Sequence, residues 1–278
     1  MGTKIASGAG LKHVRFWVLD SSGYPDGDQS GATGYDGVRL EGAKSFDSNV
    51  PEPEFVTHRG DDRTIAQDSL GATEFERATL TTAKTNLDAD AALTDTLVHQ
   101  LAATIEMGGM GTDKSGSEKD VAIWGWRQAL DTTKDGASFG NRRYITNLYS
   151  KARVIPLGGP MPEGGDDVNS YSVVPTATTK PPWGLAFASG TNDFTESTRL
   201  RLVSSFPLMM ERWTGNGTLD EFNLVATPIA TANQLAWGDG ATLTVSAVNT
   251  STDTMTLSAP PANLVKIVSL YETSDALS

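Results

Sequence analysis

The stretch VTHRGDDRTIAQ, residues 56–67, gathers the densest set of side chains able to do chemistry: His58, Asp61 and Asp62, interleaved with Arg59 and Arg63. An imidazole beside two carboxylates could hold a cation or pass a proton. A metal needs three or four converging ligands, and this spacing offers no second histidine. The remaining histidines are His13 and His99, and His99 falls inside a helical pattern. Mixed charge in a long polar segment more often forms a solvated or contact face. The Arg59-Gly60-Asp61 tripeptide is too short to carry information alone.

Two other motifs meet the same test. Gly136-Ala137-Ser138-Phe139-Gly140 matches a nucleophile elbow, which needs an apolar strand before it and a helix after it. DTTKD precedes it, NRRY follows it, and no histidine lies beyond His99, so the base cannot come in the expected order. The run Asp26-Gly27-Asp28-Gln29-Ser30-Gly31 resembles the start of a calcium loop, with oxygen ligands at alternate positions. Gly37 stands where a bidentate glutamate should close it, and no helices flank it. Neither catalytic residues, nor a metal site, nor a cofactor site is expected.

Composition narrows the class. The chain has 278 residues, no cysteine, and a net charge of −12 from 22 basic and 34 acidic residues. That size buries a substantial core without covalent staples. Binding to a phosphate backbone requires clustered Lys and Arg that release counterions, which this balance disfavours. The opening MGTKIASGAGLKH has no apolar core of a signal peptide, and no apolar run reaches membrane-spanning length. Asn216-Gly217-Thr218 and Asn249-Thr250-Ser251 therefore read as turns rather than glycosylation sites.

The elements that would position these residues are mostly strands. HVRFWVLD (13–20) alternates, with Val14, Phe16 and Val18 on one face and His13, Arg15 and Trp17 on the other. A loop over 21–37, a strand over 38–43 and a long polar loop from Lys44 to about Thr73 follow. FERATLTTAKTNL (75–87) returns to strand character. The spacing of Leu93, Leu97, Leu101 and Ile105 predicts one helix over 88–111, stopped by Gly108-Gly109. VAIWGWRQAL is strand or short helix. The segments 142–159, 169–176, 183–189 and 199–206 read as strands, the last with Leu200, Leu202, Ser204 and Phe206 on one face. After residue 215 come short strands with turn residues between, and VNTSTDTM (248–255) predicts a hairpin turn. The expected class is mainly β with one flanking α-helix (α+β). The expected organisation is a domain over 1–215 and a small C-terminal β module over 216–278.

The order of features resembles the major tail, or tail tube, proteins of long-tailed siphophages. ARVIPLGGPMPEG, NSYSVVPTATTKPPWGLAF and NDFTESTRLRLVSSFPLMMERWTGNGTLDEFNL carry the likeness, with VRLEGAKSFDSNVPEPEFVTHRGDDR upstream as a long early loop followed by the helix. It spans about residues 10–225. It implies a β-sandwich or half-barrel whose copies form homohexameric rings, closed by inner strands into one barrel. Such rings stack into a tube that houses a tape-measure protein and passes DNA in transit, in a virion tail assembled in the cytoplasm of a bacterial host. Acidic residues are then expected to face the bore. Arg59, Asp61, Asp62 and Arg63 become candidate intersubunit contacts, since charged pairs set register and orientation across an interface. The alternative is a β-sandwich adhesin or carbohydrate-binding virion surface protein, with Trp183 or Trp237 stacking on sugar rings.

Overall fold

The computed structural model describes residues 11–26, 33–49, 55–60, 63–69, 76–84, 87–94, 99–102, 105–109, 119–128, 144–158, 169–176, 181, 183–184, 199–231 and 234–275. In chain order the first elements are β1 (Leu11–Val18), β2 (Val38–Arg39), β3 (Ala43–Asn49), β4 (Phe55–Gly60), β5 (Arg63–Ser69), β6 (Arg77–Thr82) and α1 (Leu87–Thr94). Then come β7 (His99–Ala102), β8 (Ile105–Gly109), β9 (Asp120–Gln128), β10 (Tyr144–Gly158), β11 (Asn169–Pro175), β12 (Leu200–Ser204) and β13 (Leu208–Thr214). The last are β14 (Glu221–Asn223), β15 (Gln234–Gly238), β16 (Ala241–Leu243), β17 (Val245–Asn249), β18 (Thr254–Leu257) and β19 (Lys266–Glu272).

The protein is mainly β, and its named strand pairs are antiparallel. The large sheet runs β2-β1-β9-β10-β11-β6-β3, with β12 added to β10. Strand β10 is 15 residues long and serves two neighbours on one edge. Its first half pairs β12, from Tyr144↔Ser204 to Leu148↔Leu200. Its second half pairs β11, from Ala152↔Pro175 to Gly158↔Ser170. A bulge between Tyr149 and Ala152 in the β9 register bends the strand between these halves. Pro156 is tolerated because the β9 ladder has ended at Arg153, leaving one edge there without a ladder partner among the described residues.

Each face of this sheet covers its own core. The alternation in β1 sends Val14 and Phe16 to the inner face, with Val121, Ile123, Tyr149, Val173 and Leu80. Helix α1 adds Ala89 and Leu93 to that core. The sheet rolls, so that β3 returns over β1 without forming a ladder to it. The close approach is possible at Gly125, where a Cβ would lie 3.1 Å from Phe46 Cδ1. The outer face presents Trp17, Trp124, Trp126 and Leu148 to a second core.

That second core is completed by the C-terminal strands. A four-stranded sheet, β13-β19-β15-β16, and a three-stranded sheet, β14-β18-β17, contribute Met209, Trp213, Phe222, Trp237, Met255, Ile267 and Tyr271. β13, from the first expected segment, pairs β19, from the second, along its whole length. All six tryptophans are buried.

Several expectations need correction. The helix does not span 88–111: it ends at Thr94, and β7 and β8 form a hairpin with His99↔Gly109 and Ala102↔Ile105 as partners. The leucine ladder had the right period, but Thr94, Thr96, Val98, Thr104 and Ile105 crowd the segment with branched side chains that favour extended backbone. The loop from Lys44 to Thr73 contains β3 and the β4–β5 hairpin. There polar composition concealed strands whose branched residues, Val56, Thr57, Thr64 and Ile65, mark them. The strand expected over 38–43 is interrupted by a turn at Glu41-Gly42 between β2 and β3. In β12 Leu200, Leu202 and Ser204 are buried as expected, but Phe206 lies past its end and is 42 % exposed. The hairpin turn between β17 and β18 is present, with Asn249↔Thr254 as its closing pair.

Candidate functional site

Within VTHRGDDRTIAQ, residues 56–60 and 63–67 belong to a two-stranded hairpin. β4 and β5 pair from Phe55↔Ser69 to Gly60↔Arg63, which brings Arg59 and Arg63 to the closed end. Asp61 and Asp62, between them, lie outside the described residues. His58 is in β4 opposite Ala66, and His99 begins β7 instead of sitting mid-helix. Each of these hairpins is a sheet of only two strands, paired to nothing else among the described residues. Both outer edges of each therefore carry backbone N–H and C=O groups without ladder partners there. A lone two-stranded hairpin is marginal in water, and an open edge is a template for another chain.

The edges of the larger sheets are treated unequally. β3 pairs only β6, β12 pairs only β10, and β16 pairs only β15 among the named strands. In contrast, the outer sides of β13 and β14 are covered by the strap 33–37, through bridges Tyr35↔Arg212 and Thr33↔Asn223. Two hydrogen bonds of 2.9 Å tie Tyr35 to Arg212, each N–H donating to the other's carbonyl. At Gly34 a Cβ would collide with Glu211 Oε2 and come within 2.8 Å of Trp213 Cζ2. Gly37 turns the strap back into β2 at φ +87°, a conformation that favours glycine.

Beneath the strap lies a buried polar junction. Glu211 has no exposed surface; its Oε1 accepts from the Tyr271 hydroxyl and, at 2.9 Å, from the Val225 N–H. Burial pushes its carboxyl up to about 8, and nearby Asp36 adds to the rise, against the Tyr271 and Val225 hydrogen bonds and the Arg15 charge. Arg15 pairs with Asp36, and its Nε donates 2.7 Å to His13 Nε2. His13 stacks on Trp126 at 4.5 Å. Burial, with the charges of Arg15 and Arg39, holds its imidazole down to about 3, so it stays neutral and can accept that bond. The junction cross-links β1, the strap and β13. Its chemistry is that of a joint between strands. None of these residues was singled out as a site in the sequence; alternation alone marked His13 and Arg15 as facing away from Val14.

The other candidates resolve less. Asp26 donates its N–H to Val18 O at 2.7 Å, while Gly27, Asp28, Gln29 and Ser30 of the calcium-like loop lie outside the described residues, as does the whole Gly136–Gly140 motif. Among the described residues no group of three or more His, Asp or Glu is placed to hold a metal, and no helix is long and apolar enough to cross a membrane. Trp183 and Trp237 are 1 % and 2 % exposed, so neither offers a ring face to a sugar. Comparison with protein-family models, characterised proteins and solved structures returns no match.

Proposed function

We propose that this chain is a structural subunit that works by completing its sheets with copies of itself, as a tail-tube protein of a long-tailed phage does. The observation that carries the reading is the pair of two-stranded hairpins, β4–β5 and β7–β8, with no third strand among the described residues. Identical neighbours would supply that strand and convert marginal arms into continuous sheet. A contact in which one surface of a copy meets a different surface of the next is open-ended, and it generates rings and tubes. The resemblance supplies the rest: hexameric rings stacked into a hollow tube, a tape-measure protein inside it, DNA passing through without specific binding, and no catalysis. In this reading Arg59, Asp61, Asp62 and Arg63, at the closed end of one arm, set the register between copies.

Negative-stain microscopy of the purified chain tests this directly, with hollow rings or tubes as the expected result. The double variant Asp61→Lys, Asp62→Lys is expected to stay folded by circular dichroism yet fail to grow tubes. Persistent monomers of the unaltered chain would overturn the assembly reading. Normal tubes from the double variant would remove the hairpin tip from the interface.

A further inference from the structure

The rolled sheet opens at one end into a cleft of about 390 Å³, and on a chain of net charge −12 this cleft is basic. Lys44, Arg127, Arg199 and Arg201 line it against one carboxylate, Asp47. Strand registers explain how the cations gather. Gly125, Asn147 and Arg201 form one row across β9, β10 and β12, because Asn147 opposes both of the others. Arg127 stands two residues beyond Gly125 in β9, and so on the same face. One step inward on that face are Ile123 and Tyr149, which belong to the apolar inner core. The surface thus changes from apolar to cationic at the Gly125–Asn147 row.

The cations are not equivalent. Arg199 is already engaged by Glu76 at 3.1 Å and by the Ser48 hydroxyl. Arg127 and Arg201 make no side-chain ion pair among the described residues, although both border the cleft. Their Cα atoms lie two strands and two residues apart, roughly 12 Å. Long side chains rooted at that separation can close from both sides on a small ligand seated over Gly125. At the cleft Asn147 Oδ1 is buried and accepts no hydrogen bond among the described residues. An orphaned acceptor of this kind is satisfied by a ligand that brings an O–H donor.

We propose that this cleft binds a small multivalent oxyanion that also carries a hydroxyl, such as a hydroxycarboxylate or a phosphate monoester. Arg127 and Arg201 hold the anionic oxygens through charge-assisted, fork-like hydrogen bonds. Asn147 Oδ1 accepts from the hydroxyl. The site is independent of the assembly reading, since every group in it comes from one copy.

Isothermal titration with citrate and with tricarballylate, which has the same three carboxylates and no hydroxyl, tests the assignment at neutral pH and constant ionic strength. Saturable binding of citrate is expected, with tricarballylate weaker. The variant Arg127→Gln, Arg201→Gln should keep its melting curve, since both residues are exposed, and weaken citrate by roughly tenfold or more. Asn147→Ala should bring citrate down to the affinity of tricarballylate. Absence of saturable citrate binding, or undiminished binding by the folded double variant, would overturn the site. Equal binding of the two anions by the unaltered chain would overturn the role of Asn147.

Discussion

At the residue scale, Glu211 and His13 make stability depend on pH in opposite directions. Glu211 titrates at about 8 when folded, against 4.5 when free, so the native state keeps the extra proton between those values. Its stabilising contribution is full below about 4.5 and is lost as pH rises through 8. His13 moves from 6.5 down to about 3, so the unfolded state takes the extra proton there, and stability falls as pH drops through that range. The two slopes cancel between about 4.5 and 6.5, and a plateau of unfolding free energy is expected across that window. Above it, urea titrations should show a loss on the order of 2 kcal/mol by alkaline pH. Glu211→Gln removes the ionisation and is expected to flatten the alkaline limb while leaving the acid limb in place. A variant that still loses stability in parallel with the parent would place the titration elsewhere. Gly34→Val should be destabilised by several kcal/mol, on the order of a core overpacking, because Glu211 and Trp213 occupy the space its side chain needs; a melting curve matching the parent would contradict that packing. No sequence pattern announced this junction, since its members are far apart in the chain and each is an ordinary residue until the strap 33–37 closes over β13.

At the element scale, legibility followed how local the signal was. The faces of β1 were readable because period-two alternation needs only neighbours: Val14 and Phe16 went inward and Trp17 outward as expected. The β17–β18 turn was readable for the same reason, and Asn249 Oδ1 holds it by accepting from the Ser251 and Thr252 N–H groups at 2.9 and 3.3 Å. The hairpins β4–β5 and β7–β8 were not. One was hidden by polar residues and the other by a leucine spacing that fits a helix equally well, and choosing between them needs tertiary contacts that the sequence does not display. These two hairpins should also be the least protected elements of a dispersed chain. Hydrogen exchange is expected to be fast in Phe55–Gly60 and His99–Ala102 and slow in β9 and β10, which are paired on both sides. On assembly the hairpin amides should slow by orders of magnitude. Equal, strong protection in dispersed and assembled samples would mean that they need no partner.

At the scale of the whole molecule, the outer face of the large sheet and the C-terminal strands share one core, in which Trp17, Trp124 and Trp126 meet Trp213, Trp237 and Tyr271. Removing residues 216–278 would strip β19 from β13 and uncover that indole-rich face. The shortened chain 1–215 is expected to bind a hydrophobic dye and to precipitate, whereas the full chain should unfold in a single transition by tryptophan fluorescence. A soluble, monomeric 1–215 with native-like melting would show that the large sheet stands without its cover.

The central place of β19 has a consequence for synthesis. It lies between β13 and β15, so these two cannot be joined in one sheet until Lys266–Glu272 has left the ribosome. Until then the nascent chain holds its tryptophan wall unclosed, with contacts that wait on distant partners, and such long-range pairings form slowly. Translation itself would act as a timer, keeping the four-stranded C-terminal sheet from joining this core until β19 has been delivered.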